Sequence, residues 1–431
     1  MISRIAKIVE SERLFLKGLA HVAGGAAIGH LVVIAVSPII TRLYSPSDFG
    51  VFGLVVAYIG FFSAIGGLKY ELAIVSADSE DEARSLFAVS IFLSLILSFL
   101  SGLVFLFLKE YSLFGYGTME YFFIPLVLAG VGFTSIYSVV RVALIRHQEY
   151  AIVGKVSFVK NLVWAGGQVL LGLFNLSATG LVGGEVLSRF SGILTAWRTL
   201  RKKMYPDGLK WKVNKETLRK YRRFPLLSWP ASFLNALGPL FQVPILTNLY
   251  GFEFAGQFML VSTVFGMFVA LIGQSIGEVS HGRLSELKAA GPHAMGRFLR
   301  KLVVTLCAAN TCLVLIVWLF ASRLFPIIFG KSWTLAGELA PWVALYCFIS
   351  IIVFPVDRMV FVNEWHKTKL FFNTVFLACV IFIPLIASAN GLSGLTAISL
   401  LGSALALNYL LYVYVIIRRG LLYGTKPVAS H

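Results

Sequence analysis

The sequence predicts an all-α integral membrane protein: about twelve transmembrane helices in two six-helix lobes related by a parallel pseudo-two-fold repeat. Three observations carry this expectation. The composition is too apolar for a soluble core to bury, the apolar residues lie in long runs, and one heptapeptide is written twice. Of the 431 residues 58% are hydrophobic, 14% aromatic and only 13% charged, with a mean hydropathy of +0.83. A soluble domain is nearer half apolar and about a quarter charged.

The runs come first. A helix of about 20 apolar residues crosses roughly 30 Å of hydrocarbon. Such stretches fall at 18–40, 49–68, 85–108, 121–145, 151–173, 178–199, 225–247, 254–277, 299–322, 338–362, 368–388 and 393–417. Between them stand turn clusters such as Ser45-Pro46-Ser47-Asp48 and Asn390-Gly391, where the chain can leave the bilayer. Run length favours helices, since a barrel strand alternates over only about ten residues. The first run is too long for a cleavable signal peptide, and Arg4, Glu10, Glu12 and Lys17 precede it without a small-residue cleavage motif.

The repeat sets the lobes. PIITRLY at Pro38–Tyr44 returns as PILTNLY at Pro244–Tyr250, and seven of sixteen aligned pairs from Ser37/Val243 to Phe52/Phe258 are identical. The copies close the first and seventh runs, so six spans separate them and both run the same way through the membrane. Parallel repeats of this kind are a transporter plan. The expected division is a lobe over 1–200, a basic cytoplasmic linker over 201–224 and a second lobe over 225–431.

Charge sets the orientation. With twelve spans, one side holds Arg4, Lys7, Arg13 and Lys17, the basic run Arg198–Arg223, Arg283–Lys301, and Arg418, Arg419 and Lys426. The other side offers little beyond Arg42, Lys109, Arg323 and Lys331. By the positive-inside rule both termini are cytoplasmic. The net charge of +17 is therefore mostly a topology signal. Basic loops beside membrane spans argue against a nucleic-acid partner.

One stretch, ITRLYSPSDFGVFGLVVAYIGFFSAIGGLKYELAIV at Ile40–Val75, resembles the amino-terminal signature of bacterial polysaccharide flippases. These are the O-antigen and exopolysaccharide repeat-unit flippases of the multidrug/oligosaccharidyl-lipid/polysaccharide exporter superfamily. The shared elements are Leu43-Tyr44, Pro46, Asp48-Phe49-Gly50 and Lys69-Tyr70-Glu71. A second stretch, LFPIIFGKSWTLAGELAPWVALY, with Phe329-Gly330 and Trp333, resembles the start of the family's tenth span. The resemblance implies flipping of an undecaprenyl-diphosphate-linked oligosaccharide from the inner to the outer leaflet of a bacterial plasma (inner) membrane, for O-antigen, capsule or exopolysaccharide synthesis. It implies the lipid bilayer as surroundings, and polysaccharide polymerase and chain-length machinery as protein partners.

The residues are compatible with such a cargo. An anionic headgroup needs cations in a wet cavity, and ionisable side chains inside spans are rare because each is costly there. Arg141 closes the fourth span, Lys155 and Lys160 lie in the fifth, Glu185 and Arg189 in the sixth, Asp357 and Arg358 in the tenth. Arg141 and Lys155 can either snorkel to the interface or bind substrate. Lys160 lies some two turns deeper, where snorkelling is harder. Glu185 and Arg189, at i and i+4, can pair along one helix face. Arg42 and Lys69 sit in the family-like signature, as interfacial anchors or substrate contacts. Trp164 and Gln168 continue the Lys160 face at i+4 and i+8, lining a cavity or bonding a neighbouring helix. The expected headgroup site is a shared cavity for Lys160, Arg358 and Arg141, with Asp357 or Glu185 as ion-coupling group or gate.

Other chemistry is not legible. Cys307, Cys312, Cys347 and Cys379 lie in spans at no metal spacing, and the seven histidines form no ligand cluster. With no nucleotide-binding loop and no catalytic triad, neither cofactor nor enzymatic activity is expected. The alternative is a cation-coupled multidrug or metabolite exporter of the same superfamily, which would want acidic residues in its cavity. An assembly enzyme would want a large extracytoplasmic loop, and the outer loops are short.

Overall fold

The computed structural model describes residues 24–205, 208, 213–287, 292–363 and 365–423. The basic residues Arg4, Lys7, Arg13 and Lys17 lie outside the described residues, as do His21, Lys210, Lys212, Lys288 and Lys426. The described residues form helices and turns without a strand. In chain order the helices are α1 (Gly24–Leu43), α2 (Pro46–Ala64), α3 (Tyr70–Ser76), α4 (Glu80–Glu110), α5 (Phe123–Arg146), α6 (Tyr150–Leu173), α7 (Ser177–Met204), α8 (Lys215–Lys220), α9 (Trp229–Leu287), α10 (Pro292–Phe329), α11 (Thr334–Val362), α12 (His366–Ala389) and α13 (Gly394–Tyr423).

Ten of the described helices are long and apolar enough to cross a membrane. They become twelve spans for two reasons. The apolar stretch Ala236–Gly277 of α9 is divided at Gly251, which leaves helical geometry at φ 86°, ψ 168°. And α7 is long enough, but Glu185 and Arg189 lower its hydropathy below that of its neighbours.

The repeated heptapeptide ends at a helix break in both copies, and the breaks use different chemistry at aligned positions. After PIITRLY, Ser45 caps α2: its Oγ accepts from Asp48 N at 3.2 Å while Asp48 Oδ2 accepts from Ser45 N at 2.9 Å, with Pro46 opening the helix. This is a capping box, which satisfies two orphan donors reciprocally. After PILTNLY the aligned residue is Gly251, whose backbone angles only glycine adopts cheaply. Phe52 and Phe258, aligned beyond the breaks, are both buried. The second family-like stretch is held instead by a distant side chain from α9. Gln257 donates to Ser332 O at 2.6 Å and accepts from Ala336 N at 2.9 Å. Trp333 is fully buried, and Gly330 turns the chain at φ 110°.

The chain divides into two compact units, Met1–Asn248 and Leu249–His431. The division falls inside α9, later than residue 225. In the first unit α6 packs along α7, and α5 lies against both α4 and α7. A core of Ala73, Phe87, Val140, Leu144, Val153 and Leu200 seals one end. In the second, α11 packs on α10 and α13, and α12 on α13, around Leu299, Ile352, Val356, Met359 and Ile416.

The described residues of the basic linker pack into the first unit. Met204, Tyr205 and Tyr221 enter its core. Lys220 Nζ lies 2.7 Å from Asp78 Oδ2 and 2.5 Å from Glu82 Oε1. Those two carboxylates raise the ammonium's pKa above its ordinary value. Tyr221 donates its hydroxyl to Glu82 Oε2 at 2.9 Å.

Candidate functional site

The cluster of charge sits where α6 and α7 run antiparallel. Glycine pairs bring the two helices together: a Cβ on Gly184 would meet Gln168 Cγ at 2.5 Å, and one on Gly167 would meet Gly184 Cα at 3.4 Å. Small residues at a helix interface permit such close backbones inside a membrane. The register follows from that contact. Gln168 donates to Leu181 O at 3.1 Å, Trp164 hydrogen-bonds Glu185, and Lys160 lies in the field of Arg189 and Glu185. Each step of four residues back along α6 is matched by a step of four forward along α7.

Glu185 and Arg189 pair as their spacing suggests. Arg189 Nε donates to Glu185 Oε1 at 2.8 Å and Nη2 lies 2.6 Å from the same oxygen. Arg189 also stands over the Tyr137 ring, 5.8 Å from its centroid. Tyr137 belongs to α5, and one turn further along the same helix Arg141 acts electrostatically on Lys160. His30 of α1 feels Lys160 as well. Two cations, Lys160 and Arg189, thus share one acid, Glu185, and the exposed Arg141 acts on Lys160 from α5. Lys160 has no hydrogen-bond or ion-pair partner among the described residues.

The other expected residues lie elsewhere. Gln168 is buried and serves helix packing: besides its bond to Leu181, its own carbonyl accepts from Tyr44 Oη at 2.7 Å. Lys155 is exposed on α6. Arg42 is exposed and donates to Pro38 O at 2.7 Å. Lys69 pairs with the buried Glu71, at 3.4 Å. In the second unit Asp357 is engaged by Lys369 and Tyr412 rather than by Arg358. Lys369 Nζ donates to Oδ2 at 2.8 Å and Tyr412 Oη to Oδ1 at 2.7 Å. Arg358 has no hydrogen-bond or ion-pair partner among the described residues; a Cβ on Gly277 would lie 3.7 Å from its Nε.

Sequence reasoning did not single out Tyr137, Lys369 or Tyr412. Tyr137 precedes Arg141 by four residues, a helical neighbour and so a readable signal. Lys369 and Tyr412 reach Asp357 from two other helices and carry no such mark. Among the described residues no group of three or more His, Cys, Asp or Glu is placed to hold a metal.

The profile of a family described as "Polysaccharide biosynthesis protein" matches residues 39–337. The chain belongs to that family. The match begins one residue into the first copy of the heptapeptide, takes in the whole of the second and ends within α11, and it bears out the resemblance read from Ile40–Val75. No sequence among the curated proteins matches. Solved structures share the fold over nearly their whole length. A mutant of the Vibrio cholerae MATE transporter VcmN is similar at a TM-score of 0.57 with 13% identity, over 96% of this chain and 97% of that one. An inward-facing MATE family transporter of the MOP superfamily gives 0.52 and 13%, over 94% and 96%. A MOP superfamily transporter from Pyrococcus furiosus, titled for the reverse polarity of its binding pocket, gives 0.50 and 14%, over 95% and 94%. The family member described here is thus a multi-pass membrane protein with the two-lobed MATE-like fold.

Proposed function

We propose that the chain is a flippase carrying an undecaprenyl-diphosphate-linked oligosaccharide from the inner to the outer leaflet of a bacterial plasma membrane, with both termini cytoplasmic. The observation that supports it is the surplus of positive charge on α5–α7. Lys160 and Arg189 share one acid, Glu185, which is already bonded to Arg189 and Trp164, and the exposed Arg141 adds a further cation acting on Lys160. Unpaired charge in a membrane interior is expensive, so it calls for an anionic ligand. A diphosphate is that ligand, and charge-assisted bonds to it are strong where water is scarce. In this reading Lys160 is the primary contact, Arg141 the second, and the Glu185–Arg189 pair fixes their surroundings. Trp164, held by Glu185, offers an indole face to sugar. A cation-coupled drug exporter would place its surplus charge the other way.

Two experiments test the reading. Deleting the gene should strand lipid-linked repeat units on the cytoplasmic leaflet and remove surface polysaccharide; repeat units still reaching the outer leaflet at the normal rate would refute it. For the topology, a cytoplasm-active reporter fused after Lys212 should be active and one fused after Tyr111 silent. The reverse pattern would invert the orientation.

A further inference from the structure

The charge cluster on α5–α7 leaves a second polar centre of the same unit unused, at the turn joining α2 to α3. Gly67, Leu68 and Lys69 are three consecutive residues in left-handed conformation, at φ 61°, 48° and 64°. Two of them are not glycine, and such strain persists where the surroundings enforce it, often at ligand sites. Beneath the turn lie oxygens without partners. Glu71 is 3% exposed, Ser90 0% and Ser135 2%. Glu71 Oε2, Ser90 Oγ and Ser135 Oγ are all buried with no hydrogen-bond partner.

These oxygens surround two adjacent glycines. A Cβ on Gly66 would meet Ser135 Oγ at 2.5 Å, and one on Gly67 would meet Glu71 Oε2 at 2.7 Å, with Ser90 Cβ at 3.5 Å. The missing side chains let α3, α4 and α5 bring these groups against the turn. Buried polar atoms are almost always satisfied, so three orphan oxygens in one place point to a group that binds oxygen. The donor set is a single carboxylate oxygen with hydroxyls, without sulfur or imidazole. Oxygen-only ligation suits hard cations, and one carboxylate supplies too little charge for a divalent ion. The other carboxylate oxygen, Oε1, faces Lys69 Nζ at 3.4 Å, long for a charge-assisted bond.

We propose that Glu71 Oε2, Ser90 Oγ and Ser135 Oγ form a Na⁺ site under the α2–α3 turn, at which the ion competes with the Lys69 ammonium for the Glu71 carboxylate. The site is independent of the cargo, and Na⁺ alone tests it. Lys69 thereby changes its standing: it is the residue released when the ion arrives.

The experiment is equilibrium binding of radioactive Na⁺ to the purified full chain in lipid nanodiscs, with choline as the replacing cation. Wild-type protein should bind Na⁺ saturably, one ion per chain, and K⁺ should compete poorly. Glu71→Gln should lose binding, while Ser90→Ala and Ser135→Ala should each weaken it roughly tenfold, the factor for one lost favourable ligand contact. Lys69→Met should tighten binding, because it removes the competitor; a merely structural ion pair would give no such gain. Because Glu71→Gln changes a buried group, Ser90→Ala and Ser135→Ala keep the test open if that variant does not fold. Folded wild-type protein that shows no saturable Na⁺ binding, whether it holds a water or takes up only protons there, overturns the proposal. Unchanged Na⁺ affinity in the two serine variants overturns it equally.

Discussion

Lys160→Ala is expected to lower export of lipid-linked repeat units about tenfold to a hundredfold while the protein stays folded and abundant. The size follows from losing one hydrogen bond to a charged group, about 1.5–3 kcal/mol, where about 1.4 kcal/mol is a factor of ten. The absence of a folding defect follows from the geometry. Lys160 has no ion-pair partner among the described residues, and two of the charges around it, Arg141 and Arg189, repel it. Removing it relieves that repulsion, gives up its attraction to Glu185 and leaves the Glu185–Arg189 pair closed. Lys160→Arg should retain most of the export, because the charge remains. The measurement is outer-leaflet accessibility of the lipid-linked repeat, paired with protein abundance and Tm in nanodiscs. Normal export in Lys160→Ala would remove Lys160 from the site, and a large drop in Tm would make its role structural.

Arg189→Ala is expected to behave in the opposite way, with loss of the folded protein itself. Glu185 is 7% exposed and takes both Arg189 contacts on one oxygen, at 2.6 and 2.8 Å. Breaking a buried pair by removing one partner costs about 3–5 kcal/mol, since the other charge is left uncompensated. Lys160 and the Trp164 bond remain near the carboxylate, which places the expected cost at the lower end, about 3 kcal/mol. The double variant Glu185→Gln with Arg189→Ala should recover much of the Tm, because both charges leave together. Thermal unfolding of the four proteins of this cycle measures the coupling. A single variant as stable as wild type would show that Glu185 is solvated and that the pair contributes nothing.

How far these features can be read without coordinates differs from one to the next. The break after PIITRLY and the one after PILTNLY are visible as Ser45-Pro46 and Gly251, because turn and capping chemistry is local. The Glu185–Arg189 contact is visible for the same reason: helical periodicity alone makes residues four apart neighbours. The stripe Lys160, Trp164, Gln168 is visible as a stripe, but its partners are not. Its division of labour, with Gln168 bonding the backbone and Lys160 left open, depends on the register of α6 against α7.

What the sequence by itself determined is the class of the protein. Long apolar runs can be satisfied only as membrane helices, since backbone polar groups must be bonded internally there. The tertiary structure alone decided which charges are paired. Asp357 is next to Arg358 in the chain, yet it bonds Lys369 and Tyr412 from α12 and α13. Glu71, one residue in a family-like motif, has an unsatisfied oxygen among serines of α4 and α5. Contacts between helices depend on rotation and register, which many small packing terms fix together, and no short stretch of sequence contains them.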